Sequence, residues 1–262
     1  MTLRCSCLVT ALCLSAALTT SEAAASTATS DAQAVAILTK ALAALNGATV
    51  LTDATVPATA TYIAGGDTET GTATLEAKAN KSRVALNLSG GQRLEIRNGA
   101  AGDWIGPDGI LHPMAKRYCW TDATWFFPGL TLQTSISDPQ VVAVYVGLET
   151  RNGGAVQHLQ LFRIDPLQPA GMTAEIQSLS TLDLYLGAQT YLPVALDFNM
   201  HPDDNFGVNI PVEIQFSDYR STKNVTAPFH IQKLLQNTLL FDLTVTSITI
   251  NSGIPDTEFT VQ

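Results

Sequence analysis

Apolar residues recur along this chain with two periods, and the change between them marks the first structural division. Ala34, Ile37, Leu38, Ala41, Leu42 and Leu45 have the spacing of one helical face. Ser30 and Gln33 match a capping box, in which both side chains satisfy orphan backbone N–H groups at a helix start. Gly47 can take the left-handed conformation that ends a helix. The pattern predicts one amphipathic helix packed on a sheet.

After Gly47 the period falls to two. Val84, Leu86 and Leu88 alternate with Arg83, Ala85 and Asn87, and Leu94 and Ile96 alternate with Arg93, Glu95 and Arg97; Gly90-Gly91 between them predicts a hairpin. Further strands are expected at 55–64, 71–78, 140–149, 155–164, 181–187, 191–200, 208–219, 227–235 and 239–250. The short turns between most of them imply antiparallel neighbours. Towards the C-terminus Leu182, Leu184 and Leu186 share a face, as do Leu192, Val194, Leu196 and Phe198, and then Ile210, Val212, Ile214 and Phe216. In the last run Phe241, Leu243 and Val245 hold one phase and Ile248 and Ile250 the other. One extra residue at Thr246-Ser247, a β-bulge, would restore the register and bend the strand. Residues 120–132 lack strict alternation and hold two of the three tryptophans; a short helix or two is expected there, broken at Pro128-Gly129.

The segments Tyr191-Leu192-Pro193-Val194, Phe216-Ser217-Asp218-Tyr219-Arg220, Pro228-Phe229-His230-Ile231 and Leu243-Thr244-Val245-Thr246-Ser247-Ile248 form a succession of turns and strands. Over residues 185–259 this resembles the C-terminal part of the bacterial outer-membrane lipoprotein-sorting carriers, the LolA/LolB-like proteins. The resemblance implies an α+β, mainly antiparallel β fold. A strongly curved sheet would form an incomplete barrel, with an N-terminal amphipathic helix and short plug or lid helices on the concave side. It also implies binding rather than catalysis, with lipid or lipoprotein acyl chains as partners.

The first residues read as an export signal. Arg4 precedes an apolar run over 5–18, and Ala23-Ala24-Ala25 offers small residues for cleavage. The run is shorter than the roughly 18–20 residues a bilayer span needs, so no integral span is expected. The implied organisation is a signal peptide over 1–25, a disordered leader over 26–31 and a single domain over 32–262. The implied location is periplasmic or secreted. Cys5, Cys7 and Cys13 lie in the signal, leaving Cys119 without an intrachain partner. The net charge of -9, which removal of Arg4 and Glu22 does not change, disfavours nucleic acid and electrostatic docking on anionic lipid.

Catalytic signatures are missing from the sequence: there is no Gly-x-Ser-x-Gly, His-Glu-x-x-His, Ser-x-x-Lys or glycine-rich phosphate loop. No catalytic residue, metal ligand or cofactor is therefore assigned. Cys119, between Tyr118 and Trp120, reads as a buried inert thiol. His201-Pro-Asp-Asp-Asn205 holds oxygen ligands near a turn but lacks the spacing of a calcium loop, and reads as a polar hairpin tip. His112, His158 and His230 read as structural or surface groups, and the acceptor triplets at Asn80, Asn87 and Asn224 are given no role.

The remaining candidate chemistry is apolar. Trp120, Trp125, Phe126, Phe127, Leu130 and Leu132 would face Leu184, Leu192, Val194, Leu196, Val212, Ile214, Phe216, Leu243 and Val245 across a slot that admits an acyl chain. The expected protein is then a monomeric exported carrier. The alternatives are a non-catalytic envelope module of the same fold with a filled core, and more distantly a secreted hydrolase. A void of several hundred cubic ångströms on the concave side would distinguish carrier from module.

Overall fold

The computed structural model describes residues 28–122 and 124–262. The signal assigned to 1–25 and leader residues 26 and 27 lie outside the described residues. Helix α1 (Ala32–Asn46) buries Ala34, Ile37, Leu38, Ala41 and Leu45, the face its periodicity picks out. Its cap is Asp31 rather than Ser30. Asp31 Oδ1 accepts from the Ala34 N–H at 2.5 Å and Oδ2 from the Tyr145 N–H at 2.6 Å. Ser30 Oγ instead accepts from the Ala143 N–H at 3.0 Å. A carboxylate can serve two donors at once and favours a helix N-terminus more strongly than a hydroxyl does. The hydrogen bonds from Ala34 and Tyr145 hold the Asp31 carboxyl below the usual carboxylate range. The end of the leader is thus tied to a strand edge. Gly47, at φ +55°, closes the helix by donating its N–H to Ala43 O at 3.1 Å.

One antiparallel sheet of 14 strands carries the rest. A first meander comprises β1 (Asp53–Ala64), β2 (Asp67–Lys78), β3 (Lys81–Leu88), β4 (Gly91–Asn98), β5 (Ala101–Ile105) and β6 (Leu111–Pro113). Helices α2 (Lys116–Thr121) and α3 (Pro128–Ser137) follow. The second meander runs through β7 (Val141–Arg151), β8 (Gly154–Arg163), helix α4 (Ala170–Ser180), β9 (Leu182–Gly187), β10 (Pro193–Met200), β11 (Ile210–Thr222), β12 (Val225–Leu235) and β13 (Thr238–Val245). A short β14 (Thr249–Ile250) and a 3₁₀ turn (Asp256–Phe259) end the chain. The spatial order is β6-β5-β4-β3-β2-β1-β13-β12-β11-β10-β9-β8-β7, with β14 also on β1. The first strand therefore pairs with the last long one, and β6 and β7 remain as unjoined edges. The sheet is a curved, incomplete barrel.

The predicted bulge is present. Ala58 pairs with Val245 and Thr55 with Thr249, so three steps along β1 oppose four along the C-terminal strand. Pro57 lies at this point and has no N–H to offer the neighbouring strand. Thr246 adapts by directing both its N–H and its hydroxyl to Pro57 O, at 2.9 and 3.0 Å.

Two local expectations change. In β10 the register shifts between Pro193 and Ala195, so Val194 does not share the inward row in which Leu196 opposes Leu184 and Phe198 opposes Leu182. Pro128-Gly129 starts a helix instead of breaking one, because a proline at the first helical position forfeits no intrahelical hydrogen bond. Gly129 lies against α1, where Asn46 Nδ2 donates to Gly129 O at 3.0 Å. No periodicity marks β5, β6 or α4. The first two are short, and α4 buries only Ser180, so it lacks an apolar stripe.

Candidate functional site

Helices α1 and α3 rest on the second meander, touching each other and β12, with α1 also on β7. Their side chains fill part of its inner face. The region where the two meanders meet is covered by α2 and the connection from α2 to α3, and here the packing leaves a cavity of about 440 Å³. Tyr62 on β1, Val84 and Leu86 on β3, Ile214 on β11, Ile231 on β12 and Phe241 and Leu243 on β13 form its sheet wall. Met114, Trp125 and Phe126 face them from the covering segment.

The residues expected to line a slot separate accordingly. Trp125, Phe126, Ile214 and Leu243 line the cavity. Phe127, Leu130, Leu132, Leu184, Leu196, Val212, Phe216 and Val245 are buried in the packed core. Leu192 is half-buried against that core, and Val194 is half-buried at the β10 irregularity. Trp120 borders a separate, more polar hollow of about 260 Å³ with Cys119, Lys116 and Arg163. Val84, Leu86 and Phe241 were visible as alternating positions, but only the placement of α1 and α3 shows which part of the inner face stays open.

Charged groups gather at one part of the cavity wall. Arg97 on β4 is 5 % exposed; its Nη1 lies 3.0 Å from Glu95 Oε2 and its Nη2 3.6 Å from Asp122 Oδ2. Asp122, at the end of α2, also pairs with Lys233 on β12. Arg97 Nε has no hydrogen-bond partner among the described residues. Burial pulls the Arg97 pKa down, but Glu95 and Asp122 outweigh it and hold the guanidinium above its ordinary value.

The covering segment is fastened at several points. Arg117 Nε and Tyr118 Oη donate to His201 O at 3.2 and 2.6 Å, and Arg117 pairs with Asp203. The sequence 201–205 is therefore more than a polar hairpin tip: His201 is buried and the segment clasps α2. His158 bridges Glu149 and Asp183 at 2.7 and 2.9 Å, and His230 contacts Ser217 and Asp242, both away from the cavity lining. Cys119 is buried, and burial raises its thiol pKa against the lowering pull of Arg97. Among the described residues no three His, Cys, Asp or Glu side chains gather to hold a metal, and no helix is long and apolar enough to cross a membrane.

No protein-family model matches the sequence, and no curated protein matches it. Solved structures do match in shape. A candidate outer-membrane lipoprotein-sorting domain from Vibrio parahaemolyticus superposes with a TM-score of 0.55 at 11 % identity, covering 87 % of this chain and 96 % of the other. A LolA superfamily protein from Nitrosomonas europaea gives 0.54 at 13 % identity over 87 % and 97 %. The fold is LolA-like. A DUF1329 family protein from Desulfovibrio piger shares it at a TM-score of 0.51 and 11 % identity, over 87 % and 97 %. The LolA-like likeness extends well beyond residues 185–259 to most of the chain. At these identities it establishes architecture, and the cavity side chains carry the functional argument.

Proposed function

We propose that this protein is an exported, monomeric, carrier-like protein of one domain that shelters lipid or lipoprotein acyl chains in the inner cavity. The supporting observation is the 440 Å³ space beside Trp125 and Phe126, bordered mostly by aliphatic and aromatic residues, with charged groups at one part of its wall. An acyl chain needs little more than such a surface. Burial contributes about 0.8 kcal/mol per methylene, so ten methylenes gain on the order of 8 kcal/mol before ordering costs. The apolar run over 5–18 supports export, and the proposal assigns no reaction.

The test is extraction of protein purified from its native host, followed by lipid mass spectrometry and titration with a dansyl-labelled undecanoate. Co-purified lipid or saturable fluorophore uptake is expected. An empty protein that also ignores the fluorophore would overturn the proposal.

A further inference from the structure

We infer that the mouth of the cavity docks on a lipid bilayer with zwitterionic head groups, and that acyl chains pass between bilayer and cavity through this contact. This rests on the acyl-binding proposal and adds the surface that delivers its ligand. Burial along the lining locates the mouth. Trp125, Phe126, Ile231 and Leu243 are buried, whereas Trp104, Pro113 and Asp203 line the same cavity and are exposed. The cavity therefore opens between the β5–β6 hairpin, which carries Trp104 and Pro113, and the β10–β11 loop, which carries Asp203.

Both sides of this opening present apolar side chains to water. Trp104 is 41 % and Ile110 55 % exposed on the hairpin, and Phe206 48 % and Val208 42 % on the loop. Helix α2 holds the two sides together. The Met114 N–H, just before the helix, donates to Gly102 O at 2.7 Å, and the Arg117 guanidinium lies 4.7 Å from the Phe206 ring. The two sides are thus separated by about one helix diameter, ~10–12 Å. Each is braced in place: Trp104 stacks on His112 with ring centres 4.1 Å apart, and His201 Nδ1 donates to Val208 O at 3.1 Å. Single exposed apolar residues are ordinary, but apolar groups on both sides of the entrance to an apolar cavity make an interaction surface.

Chemistry and charge identify the occupant. An acyl chain that crossed open water to reach the cavity would expose each methylene on the way, and a mouth seated in the bilayer interface removes that exposure. Tryptophan suits such an interface, because its indole joins an apolar body to a polar N–H. The charges disfavour an anionic surface. Asp108, Asp203 and Asp204 are exposed, while Arg117 is half-buried and paired with Asp203, and Lys116 lies over Trp120 beside the separate polar hollow. Exposed carboxylates repel phosphatidylglycerol and complement the ammonium group at the outer end of phosphatidylethanolamine or phosphatidylcholine. They also oppose a second copy of this chain, which would bring the same carboxylates to the same place.

Flotation of the full mature protein with vesicles of phosphatidylcholine and phosphatidylethanolamine tests this, read beside dansyl-undecanoate uptake without vesicles. The protein is expected to float with these vesicles, and enriching them in phosphatidylglycerol should lower the bound fraction severalfold at low salt. Ile110 and Phe206 do not line the cavity. Ile110→Asp and Phe206→Asp should therefore each weaken vesicle binding about tenfold, or about 1.4 kcal/mol, with fluorophore affinity close to wild type. Ile110→Asp provides the reading if Phe206→Asp does not fold by circular dichroism. Wild-type protein that takes up the fluorophore but does not float would overturn the docking surface and leave acyl binding intact. Vesicle binding that strengthens with phosphatidylglycerol, or that survives both variants, would overturn it as well. Concentration-dependent dimerisation that either variant abolishes would assign the surface to a second copy instead of a bilayer. Failure of the wild type to take up the fluorophore would remove the acyl-binding proposal itself.

Discussion

Asp53, the first residue of β1, accepts two hydrogen bonds from Ser252, 199 positions later: from its N–H at 2.7 Å and its hydroxyl at 2.9 Å. The Gly253 N–H and the Thr52 hydroxyl add two more, at 3.0 and 2.9 Å. Asp53 is 1 % exposed, so these donors replace the water it has lost. Burial alone would raise its pKa, but the hydrogen bonds outweigh burial and lower it.

Asp53→Asn should therefore destabilise the fold by about 2 kcal/mol, because an amide places donors where the site needs only acceptors. The wild-type contribution is fully present above the unfolded-state pKa of about 3.9 and is lost as pH falls through the lower folded value. Urea unfolding at a series of acidic pH values should show that loss in the wild type and a shallower one in Asp53→Asn.

A Cβ on Gly129 would stand 2.2 Å from Asn46 Oδ1. Gly129→Ala should destabilise by about 1–3 kcal/mol through overpacking of the α1–α3 contact. Asn46→Ala gives up the hydrogen bond to Gly129 O but makes space for the methyl group. The double variant should be more stable than the sum of the single effects predicts, by about 1 kcal/mol in a double-mutant cycle.

Packing and vacancy should respond oppositely to mutation. Phe127, 1 % exposed in the filled part, should cost about 3–5 kcal/mol on change to alanine, with little effect on fluorophore affinity among molecules that remain folded. Val84 borders the cavity. Val84→Phe should weaken dansyl-undecanoate uptake severalfold by occupying the space, while thermal melting shows stability close to wild type.

Arg151 joins two carboxylates on separate strands: Nη1 lies 2.8 Å from Asp197 Oδ2, and Nη2 lies 2.9 Å from Asp197 Oδ1 and 2.8 Å from Glu213 Oε1. Burial raises the Asp197 pKa despite this partner. Arg151→Met should raise it further and destabilise at neutral pH by about 1–2 kcal/mol after allowance for solvent screening. Protonation relieves the unpaired charge, so the deficit should narrow as pH falls towards the raised pKa. Urea midpoints at neutral and mildly acidic pH measure the difference.

The strands were legible where one face is dry. Ile214 and Phe216 keep their period because every second residue meets the core, and the slip after Val245 appears in the sequence because a bulge exchanges the two faces. The helix start was harder to locate. Ser30 and Asp31 are both competent caps, and the choice depends on Ala143 and Tyr145 more than a hundred residues away. The site was only partly legible for a related reason. A leucine in the packed core and a leucine beside a void look alike in sequence, so Leu196 and Leu243 could not be separated. Arg97 and Lys233 were concealed differently. Lys233 interrupts the inward row of Ile231 and Leu235, whereas Arg97 keeps a regular alternation with Leu94 and Ile96 in which the polar phase, Glu95 and Arg97, is the one that lines the cavity.

The pairing of β1 with β13 also sets an order of events for the growing chain. Phe241 and Leu243, which complete the cavity wall, are made long after β1, the strand that receives them. Each meander can form hairpins locally, but neither contains the whole cavity. The protein thus acquires its capacity to hold a greasy ligand in the same step that joins its two halves, and a chain stopped before residue 238 would have neither.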